Sequence, residues 1–212
     1  MEKHLDVTLK APYSTLNAFT SRTQRVWLVF HGYGMLSRYF IDKFKVLPPE
    51  ENFIIAPQGL SRFYLEGFAG RVGASWMTKE DRLTEIANQQ TYIRAVLDHE
   101  LGLATPKELI LFGFSQGVAT ASRFAAFSGI SFQKLVLWAG SFPDDLLPEE
   151  VAHWPDDLEI RYFTGRQDPY IHLQPMLIER QKELLWKIAG KKAHLTEFDG
   201  KHEVIPDLLL TI

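Results

Sequence analysis

Six short apolar runs, separated by longer segments with helical periodicity, constrain the fold of this chain more than any other feature. Four of the runs contain the nearly continuous sequences WLVF, FIIA, LILF and LVLW, which are typical of strands buried on both faces of a parallel sheet. Because the runs alternate with helical patterns, we predict an α/β fold with a mostly parallel central sheet and helices on both faces. The predicted strands are Arg25–Phe30, Asn52–Ala56, Lys107–Phe112, Lys134–Trp138, Glu159–Phe163 and Ala193–Phe198.

The helical segments are recognised by apolar residues that recur at steps of three and four. Leu83, Ile86, Ile93 and Leu97 follow this pattern, which places them on one face of a helix. The predicted helices are Thr78–Leu101, Gln116–Phe127 and Pro175–Ala189. The N-terminal region differs, because Leu5–Lys10 and Tyr13–Phe19 have the character of two short strands joined at Ala11-Pro12, and we expect them to form an antiparallel edge of the sheet.

Composition excludes several classes of protein. At 212 residues, with 46% hydrophobic and 23% charged residues, the chain has the size and balance of one globular domain, predicted to span residues 1–212. A net charge of −3 and a pI near 6.2 give no basic surface for nucleic acid.

The sequence predicts neither a cofactor nor a metal. There are no cysteines, so disulfides and thiolate zinc sites are excluded, and no metal or nucleotide motif is present. The longest apolar runs have about six residues, whereas a membrane-spanning helix needs about 20. The N-terminus lacks the apolar segment of a leader peptide, and we expect a cytoplasmic protein without a transmembrane segment.

The motif that carries chemistry is Gly113-Phe114-Ser115-Gln116-Gly117, which matches G-x-S-x-G. A predicted buried strand precedes it and a predicted helix follows it, which is the setting of a nucleophile elbow. In such a turn small residues flank a strained serine, whose hydroxyl stands clear at the edge of the sheet. The N-terminus of the following helix then favours negative charge that develops beside the serine.

A serine hydroxyl needs a base to act as a nucleophile at neutral pH. Four of the seven histidines follow Ser115, namely His153, His172, His194 and His202. His202 is the preferred candidate because it lies in a loop after the last predicted strand. His172 is a candidate for lining a substrate pocket.

The third member of such a site is a carboxylate that orients the imidazole. Asp168 follows a predicted strand in the sequence TGRQDP and is the preferred candidate. Asp199 is a competitor in the same loop as His202, and Asp144 and Asp145 are weaker alternatives.

Acyl hydrolysis also needs donors for the oxyanion. One is the backbone N–H of Gln116, directly after the serine, and the other comes from a loop after an earlier strand. Here that loop is His31-Gly32-Tyr33-Gly34, and we select the N–H of Tyr33. His31 precedes the serine and is expected to hold the loop by hydrogen bonds.

The sequences HGYG, GFSQG, GRQDP and DGKHE, in this order, resemble motifs of the phospholipase/carboxylesterase family of α/β hydrolases, which includes the acyl-protein thioesterases. The resemblance extends from about Arg25 to His202. It implies Ser115 as nucleophile, Asp168 as acid and His202 as base, with an oxyanion hole at Tyr33 and Gln116. It also implies an α/β-hydrolase fold without a large cap domain.

The chain departs from the family pattern at three places. Val118 stands where members often have a further glycine, and Met35 stands where they often have aspartate. The segment Phe63–Trp76 replaces the loop that holds substrate in better-known members, and it overlaps the glycine-rich segment from Gly59 to Ser75. We predict this segment to be a long functional loop, and its aromatic residues suggest an apolar acyl or aryl pocket. The candidate substrate-binding residues are Phe63, Tyr64, Phe68, Trp76 and His172.

The leading hypothesis is a serine hydrolase that cleaves carboxylic esters or thioesters of a small molecule or lipid through an acyl-enzyme. A non-catalytic binding protein on the same scaffold is an alternative, because fold alone does not determine function. Peptidase or perhydrolase activity is a further alternative. The oligomeric state is open, and a homodimer is one option.

Overall fold

A seven-stranded sheet forms the centre of the molecule, with the strand order β1-β3-β2-β6-β7-β8-β9. The structure is a computed structural model, which describes residues 1, 3–170, 176–191 and 193–212. Neighbouring strands pair in parallel except for β1, which pairs antiparallel with β3 at one edge. The strands are β1 (Tyr13–Leu16), β2 (Arg25–Phe30), β3 (Asn52–Pro57), β4 (Ser61–Tyr64), β5 (Val72–Ser75), β6 (Glu108–Phe114), β7 (Lys134–Trp138), β8 (Glu159–Gly165) and β9 (Ala193–Phe198).

Helices cover both faces of this sheet, which confirms the predicted fold class. One face packs against α2, α3, α4 and α5, and the other packs against α1, a 3₁₀ turn and α6. The helices are α1 (Ser37–Phe40), the 3₁₀ turn (Ile41–Val46), α2 (Arg82–Leu101), α3 (Gln116–Phe127), α4 (Pro148–Val151), α5 (Leu177–Ala189) and α6 (Pro206–Leu209). Among the described residues, no helix has both the length and the apolar character needed to cross a membrane.

Successive residues of the central strands divide the core into two layers, because side chains on a strand alternate between faces. On β2, Val26 and Leu28 point into the layer beneath α2 and α3, whereas Trp27 and Val29 point into the layer beneath α1 and α6. All four are fully buried. This two-sided burial is the reason that the apolar runs are continuous rather than alternating.

Two predictions for the fold were wrong. Residues 5–10 form no strand, because β1 alone occupies the edge beside β3 and the short connection through Pro12 provides no N–H for pairing. The segment from Gly59 to Ser75 is not an irregular loop, since β4 and β5 within it pair antiparallel as a hairpin. The aromatic and β-branched residues of this segment therefore belong largely to strands.

Core packing at the centre of the sheet gives a testable difference between two leucines. Leu137 on β7 is 0% exposed, whereas Leu83 on α2 is 74% exposed although its helical periodicity suggested burial. We predict that Leu137→Ala lowers the free energy of unfolding by about 2–5 kcal/mol, because it removes buried methyl groups and leaves a cavity. Leu83→Ala is the matched control, and it should change the free energy of unfolding by less than about 0.5 kcal/mol. Urea denaturation measures both values. Equal losses in the two variants would contradict this assignment of the core.

Candidate active site

Three side chains from distant parts of the sequence meet at the carboxyl edge of the sheet. Ser115 follows β6, Asp168 follows β8 and His202 follows β9. The Nε2 atom of His202 lies 2.9 Å from Ser115 Oγ, and its Nδ1 atom lies 2.7 Å from Asp168 Oδ2. The structure therefore brings together the serine, carboxylate and imidazole selected from the sequence, in one chain of hydrogen bonds.

The turn at Ser115 holds its backbone in an unfavourable conformation. Its φ of 54° and ψ of −119° lie in a region that side chains other than glycine rarely adopt. The flanking glycines make this turn possible, because a Cβ on Gly113 would lie 2.4 Å from Gly117 O and one on Gly117 would lie 2.2 Å from Phe30 O. The Ser115 N–H donates to Trp138 O at 2.8 Å, which fixes the serine to the neighbouring strand.

The carboxylate of Asp168 is held in place on both oxygens. Its side chain is only 2% exposed. Oδ1 accepts a hydrogen bond from the Tyr170 N–H at 2.9 Å, while Oδ2 contacts His202. Because an ionised carboxylate can only accept, Nδ1 of His202 donates to it. In the neutral imidazole Nε2 is then an acceptor, and it is positioned to receive the proton of the Ser115 hydroxyl.

Two of the three competing acids, Asp145 and Asp199, are engaged elsewhere. Asp145 accepts hydrogen bonds from Arg82 at 2.7 Å and from Arg123 at 2.8 Å. Partial burial acts to raise the pKa of Asp145, but these two guanidinium groups outweigh it and hold the pKa below its usual value. Asp199 accepts from Gln167 Nε2 at 2.7 Å, and Asp144 is exposed.

His153 and His194, the other described histidines after Ser115, have no contact with the serine. His153 Nε2 contacts Ala125 O at 3.3 Å, and His194 is exposed on β9. His172, a candidate for the substrate pocket, lies outside the described residues. The imidazole of His202 is itself flanked by the rings of Phe114 and Tyr170, with centroids 5.0 Å and 4.7 Å away.

Two segments that carry candidate backbone donors, the loop at Gly32 and the start of α3, adjoin the serine. Gln116 is the first residue of α3, so its N–H belongs to the first turn, where amides have no partner within the helix. The backbone at Gly32 packs directly beside the Ser115 side chain, and Tyr33 follows it. Within the part of the chain that the structure describes, neither the Tyr33 N–H nor the Gln116 N–H has a protein acceptor.

The buried imidazole of His31 fixes the loop that carries Tyr33. Nε2 of His31 accepts from the Gly59 N–H at 3.0 Å and from Gln58 Nε2 at 2.9 Å, and Nδ1 lies 2.8 Å from Gly32 O. Since a backbone N–H can only donate and a carbonyl can only accept, the proton is on Nδ1 and the ring is neutral. Burial lowers the pKa of His31 to about 4, although the bond to Gly32 O opposes this shift.

The side chain of Gln116 joins the hairpin to the elbow, a role that the sequence did not reveal. Its Oε1 accepts from the Trp76 N–H at 3.0 Å, and its Nε2 donates to Met77 O at 2.8 Å and to Ser75 Oγ at 3.0 Å. The Trp76 indole in turn donates to His31 O at 2.8 Å. Residues 75–77 therefore connect the loop at His31 to the start of α3. Only the positions of β5 and the elbow in space could have revealed this connection.

The aromatic residues selected as substrate-binding do not line the cavities at Ser115. Trp76 is 1% exposed and packs under the loop at His31, and Phe68 at the hairpin tip is 98% exposed. Tyr64 is half-exposed beside it, and Phe63 stacks on Tyr33 with 5.1 Å between ring centroids. Of the four rings, Phe63 is the one in contact with a residue that lines a cavity at Ser115, namely Tyr33, and a role of these aromatics in substrate binding stays a prediction.

Two cavities meet at Ser115 and His202. The first, of about 300 Å³, extends toward Tyr162 and Thr164. The second, of about 320 Å³, extends past Tyr33 and includes Lys43. Within the described ranges, no cluster of three or more His, Asp or Glu side chains could hold a metal ion.

Comparison with known proteins agrees with the sequence motifs. A sequence model of the phospholipase/carboxylesterase family matches residues 13–212, which confirms the resemblance. Comparison with the curated proteins gave no match.

Solved structures share the fold at low sequence identity. The crystal structure of acyl-protein thioesterase 2 from Zea mays is 16% identical, with a TM-score of 0.69 over 95% of this chain and 96% of that one. The structure of esterase PE8 is 21% identical, with a TM-score of 0.65 over 96% and 97% of the two chains. A carboxylesterase from Mesorhizobium loti is 16% identical, with a TM-score of 0.62 over 95% and 93%.

The neutral state of His31 predicts a pH dependence of stability. The pKa of its imidazole is about 4 in the folded protein and about 6.5 in an unfolded chain. Between these values the unfolded state binds the additional proton, so stability falls as the pH is lowered from about 6.5 to 4, by up to about 3 kcal/mol. Urea denaturation across this range should give a steeper loss for the wild type than for His31→Gln. Parallel curves for the two proteins would show that His31 does not contribute this dependence.

Proposed function

The chain belongs to the phospholipase/carboxylesterase family, and from this premise we propose that it hydrolyses carboxylic esters through Ser115, His202 and Asp168. Family membership makes it a hydrolase of esterase or thioesterase type, whose substrates are small-molecule esters. The observation that carries the proposal is the hydrogen-bonded chain from the Ser115 hydroxyl through His202 to the Asp168 carboxylate. Thioesters are a second substrate class open to the same chemistry.

The first half-reaction forms an acyl-enzyme. Ser115 Oγ attacks the ester carbonyl carbon while its proton passes to His202 Nε2. The negative charge that develops on the carbonyl oxygen is stabilised by the N–H groups of Tyr33 and Gln116. When the tetrahedral intermediate collapses, the bond to the alcohol breaks and His202 returns the proton to the departing oxygen.

The second half-reaction releases the acid. Water enters the position of the alcohol, loses a proton to His202 Nε2 and attacks the acyl carbon. The bond to Ser115 Oγ then breaks, and the proton on His202 returns to the serine. Through both steps Asp168 keeps the imidazole oriented and stabilises its protonated form.

The Ser115 hydroxyl provides the direct test of this proposal. We predict that Ser115→Ala lowers kcat for p-nitrophenyl acetate by about 10⁴-fold or more, because no other group can form the acyl-enzyme. Ser21→Ala, at an exposed position, is the matched control and should retain activity. A fluorophosphonate probe should label the wild type and the control but not Ser115→Ala.

Two results would contradict the proposal. Turnover retained by a folded Ser115→Ala variant would exclude Ser115 as the nucleophile. Failure of the folded wild type both to hydrolyse the ester and to react with the probe would favour a binding protein on the same scaffold.

The connection through residues 75–77 gives a second prediction. Trp76→Phe removes the indole N–H that donates to His31 O, while Gln116→Leu keeps its backbone N–H and removes the side-chain hydrogen bonds. Each change removes a hydrogen bond that holds an oxyanion donor in place, so we expect kcat to fall about 10-fold with little change in KM. This loss is smaller than the roughly 100- to 1,000-fold loss of kcat that follows removal of a donor itself.

A double-mutant cycle separates this role from a general loss of structure. If both side chains act through residues 75–77, their effects are not independent. The fold-reduction in kcat of the double variant should then be smaller than the product of the fold-reductions in the two single variants. Trp186→Phe on α5 is the control indole replacement and should leave kcat unchanged. Unaltered kcat in both single variants would contradict the connection.

A further inference from the structure

The second cavity at Ser115 carries one lysine among mostly apolar walls. Lys43 borders it, and the described lining residues include no other lysine and no arginine. Phe40, Phe114 and Val204 are buried residues of its wall. A group that is bonded to Ser115 in the acyl-enzyme, or that departs from it, can therefore share this cavity with a positive charge.

The ammonium group of Lys43 is open to a ligand. The side chain is half-buried, and it has no carboxylate partner in the part of the chain that the structure describes. The neighbouring carboxylate on the same 3₁₀ turn, Asp42, pairs instead with Lys45, with Oδ1 2.7 Å from Nζ. Because an ammonium group has three donors and no acceptor, Lys43 suits an anion that enters the cavity.

The two cavities at the serine differ in the charge that they present. The buried carboxylate of Asp168 borders the first cavity, whose described lining residues include neither lysine nor arginine, and it does not border the second. Glu203 borders the second cavity at an exposed position, and its Oε1 accepts from the Lys201 N–H at 3.2 Å, within its own loop. An anion is therefore favoured in the second cavity, where Lys43 can offset its charge.

We propose that the second cavity binds a carboxylate carried by the ester substrate, and that Lys43 recognises this carboxylate. This inference rests on the proposed function. The volume of about 320 Å³ has room for roughly ten non-hydrogen atoms, at about 30 Å³ for each water-sized group. The carboxylate is therefore on a short acyl chain or on a small alcohol. Apolar walls reduce screening by water and salt, which strengthens the attraction between the carboxylate and Lys43.

Two pairs of esters test this subsite, one for each part of the substrate. In the acyl pair, p-nitrophenyl hydrogen adipate is compared with its amide, p-nitrophenyl 6-amino-6-oxohexanoate. In the alcohol pair, 4-acetoxybenzoate is compared with 4-acetoxybenzamide. An amide has nearly the shape of a carboxylate and carries no charge, so the ratio of kcat/KM within a pair reports recognition of the charge. Hydrolysis without enzyme is subtracted for each ester.

Substitutions of two neighbouring lysines provide the matched comparison. Lys43→Met keeps an unbranched stem and removes the charge. The carboxylate-to-amide ratio should then fall at least about 5-fold in one pair or both, an effect between that of an exposed ion pair and that of a hydrogen bond to a charged group. Lys43→Arg keeps the charge and should keep most of the preference.

Lys45→Met is the control for a general effect of charge. Lys45 is exposed on the same turn and does not border the cavity, so its removal should leave both ratios at the wild-type value. The measurements are made at about 0.15 M salt, where charges more than about 8 Å apart on the surface are largely screened. Thermal denaturation establishes that each variant is folded.

The outcomes separate this inference from the proposed function. A fall in the acyl pair alone would assign the cavity to the acyl group, and a fall in the alcohol pair alone would assign it to the alcohol. Unchanged ratios in a folded Lys43→Met variant, or an equal fall in Lys45→Met, would overturn the subsite and leave the hydrolase assignment intact. Turnover of these esters by Ser115→Ala would instead overturn the proposed function itself.

Discussion

The parallel pairing of β2, β6, β7, β8 and β9 is the constraint on which the site depends. Parallel strands end at the same edge of a sheet, so the segments that follow them meet there. Ser115 and His202 are 87 positions apart in sequence, yet their side chains are in hydrogen-bond contact because β6 and β9 belong to this one sheet. Any shift of register along these strands would separate the imidazole from the hydroxyl by more than the length of a hydrogen bond.

Buried polar contacts fix the positions of the segments around Ser115 more closely than strand pairing alone can. The neutral imidazole of His31, the amide of Gln116 and the indole of Trp76 connect the loop at Tyr33 to the start of α3. Each of these groups has its hydrogen-bonding atoms satisfied, and in a buried environment a lost partner is costly. The network consequently favours one arrangement of the two N–H groups beside Ser115. In the proposed reaction this fixed arrangement lets them stabilise the oxyanion without reorganising.

Much of the fold and the three central side chains could be predicted from the sequence, because they depend on local patterns. Continuous apolar runs reflect strands buried on both faces, and Gly113 and Gly117 reflect a turn that admits no larger side chain. The order of Ser115, Asp168 and His202 follows strand ends that the same runs identify.

What the sequence left undetermined depends on contacts between distant segments. The sequence pattern predicts a loop where β4 and β5 form a hairpin, since their pairing joins residues across a glycine-rich turn with little periodicity. The roles of Trp76 and Gln116 were missed because each depends on a partner about 40 positions away. The sequence by itself determined which groups are available and the order of the strands that carry them. Only the tertiary structure decided which of those groups meet, because burial and hydrogen-bond geometry are properties of the packed chain.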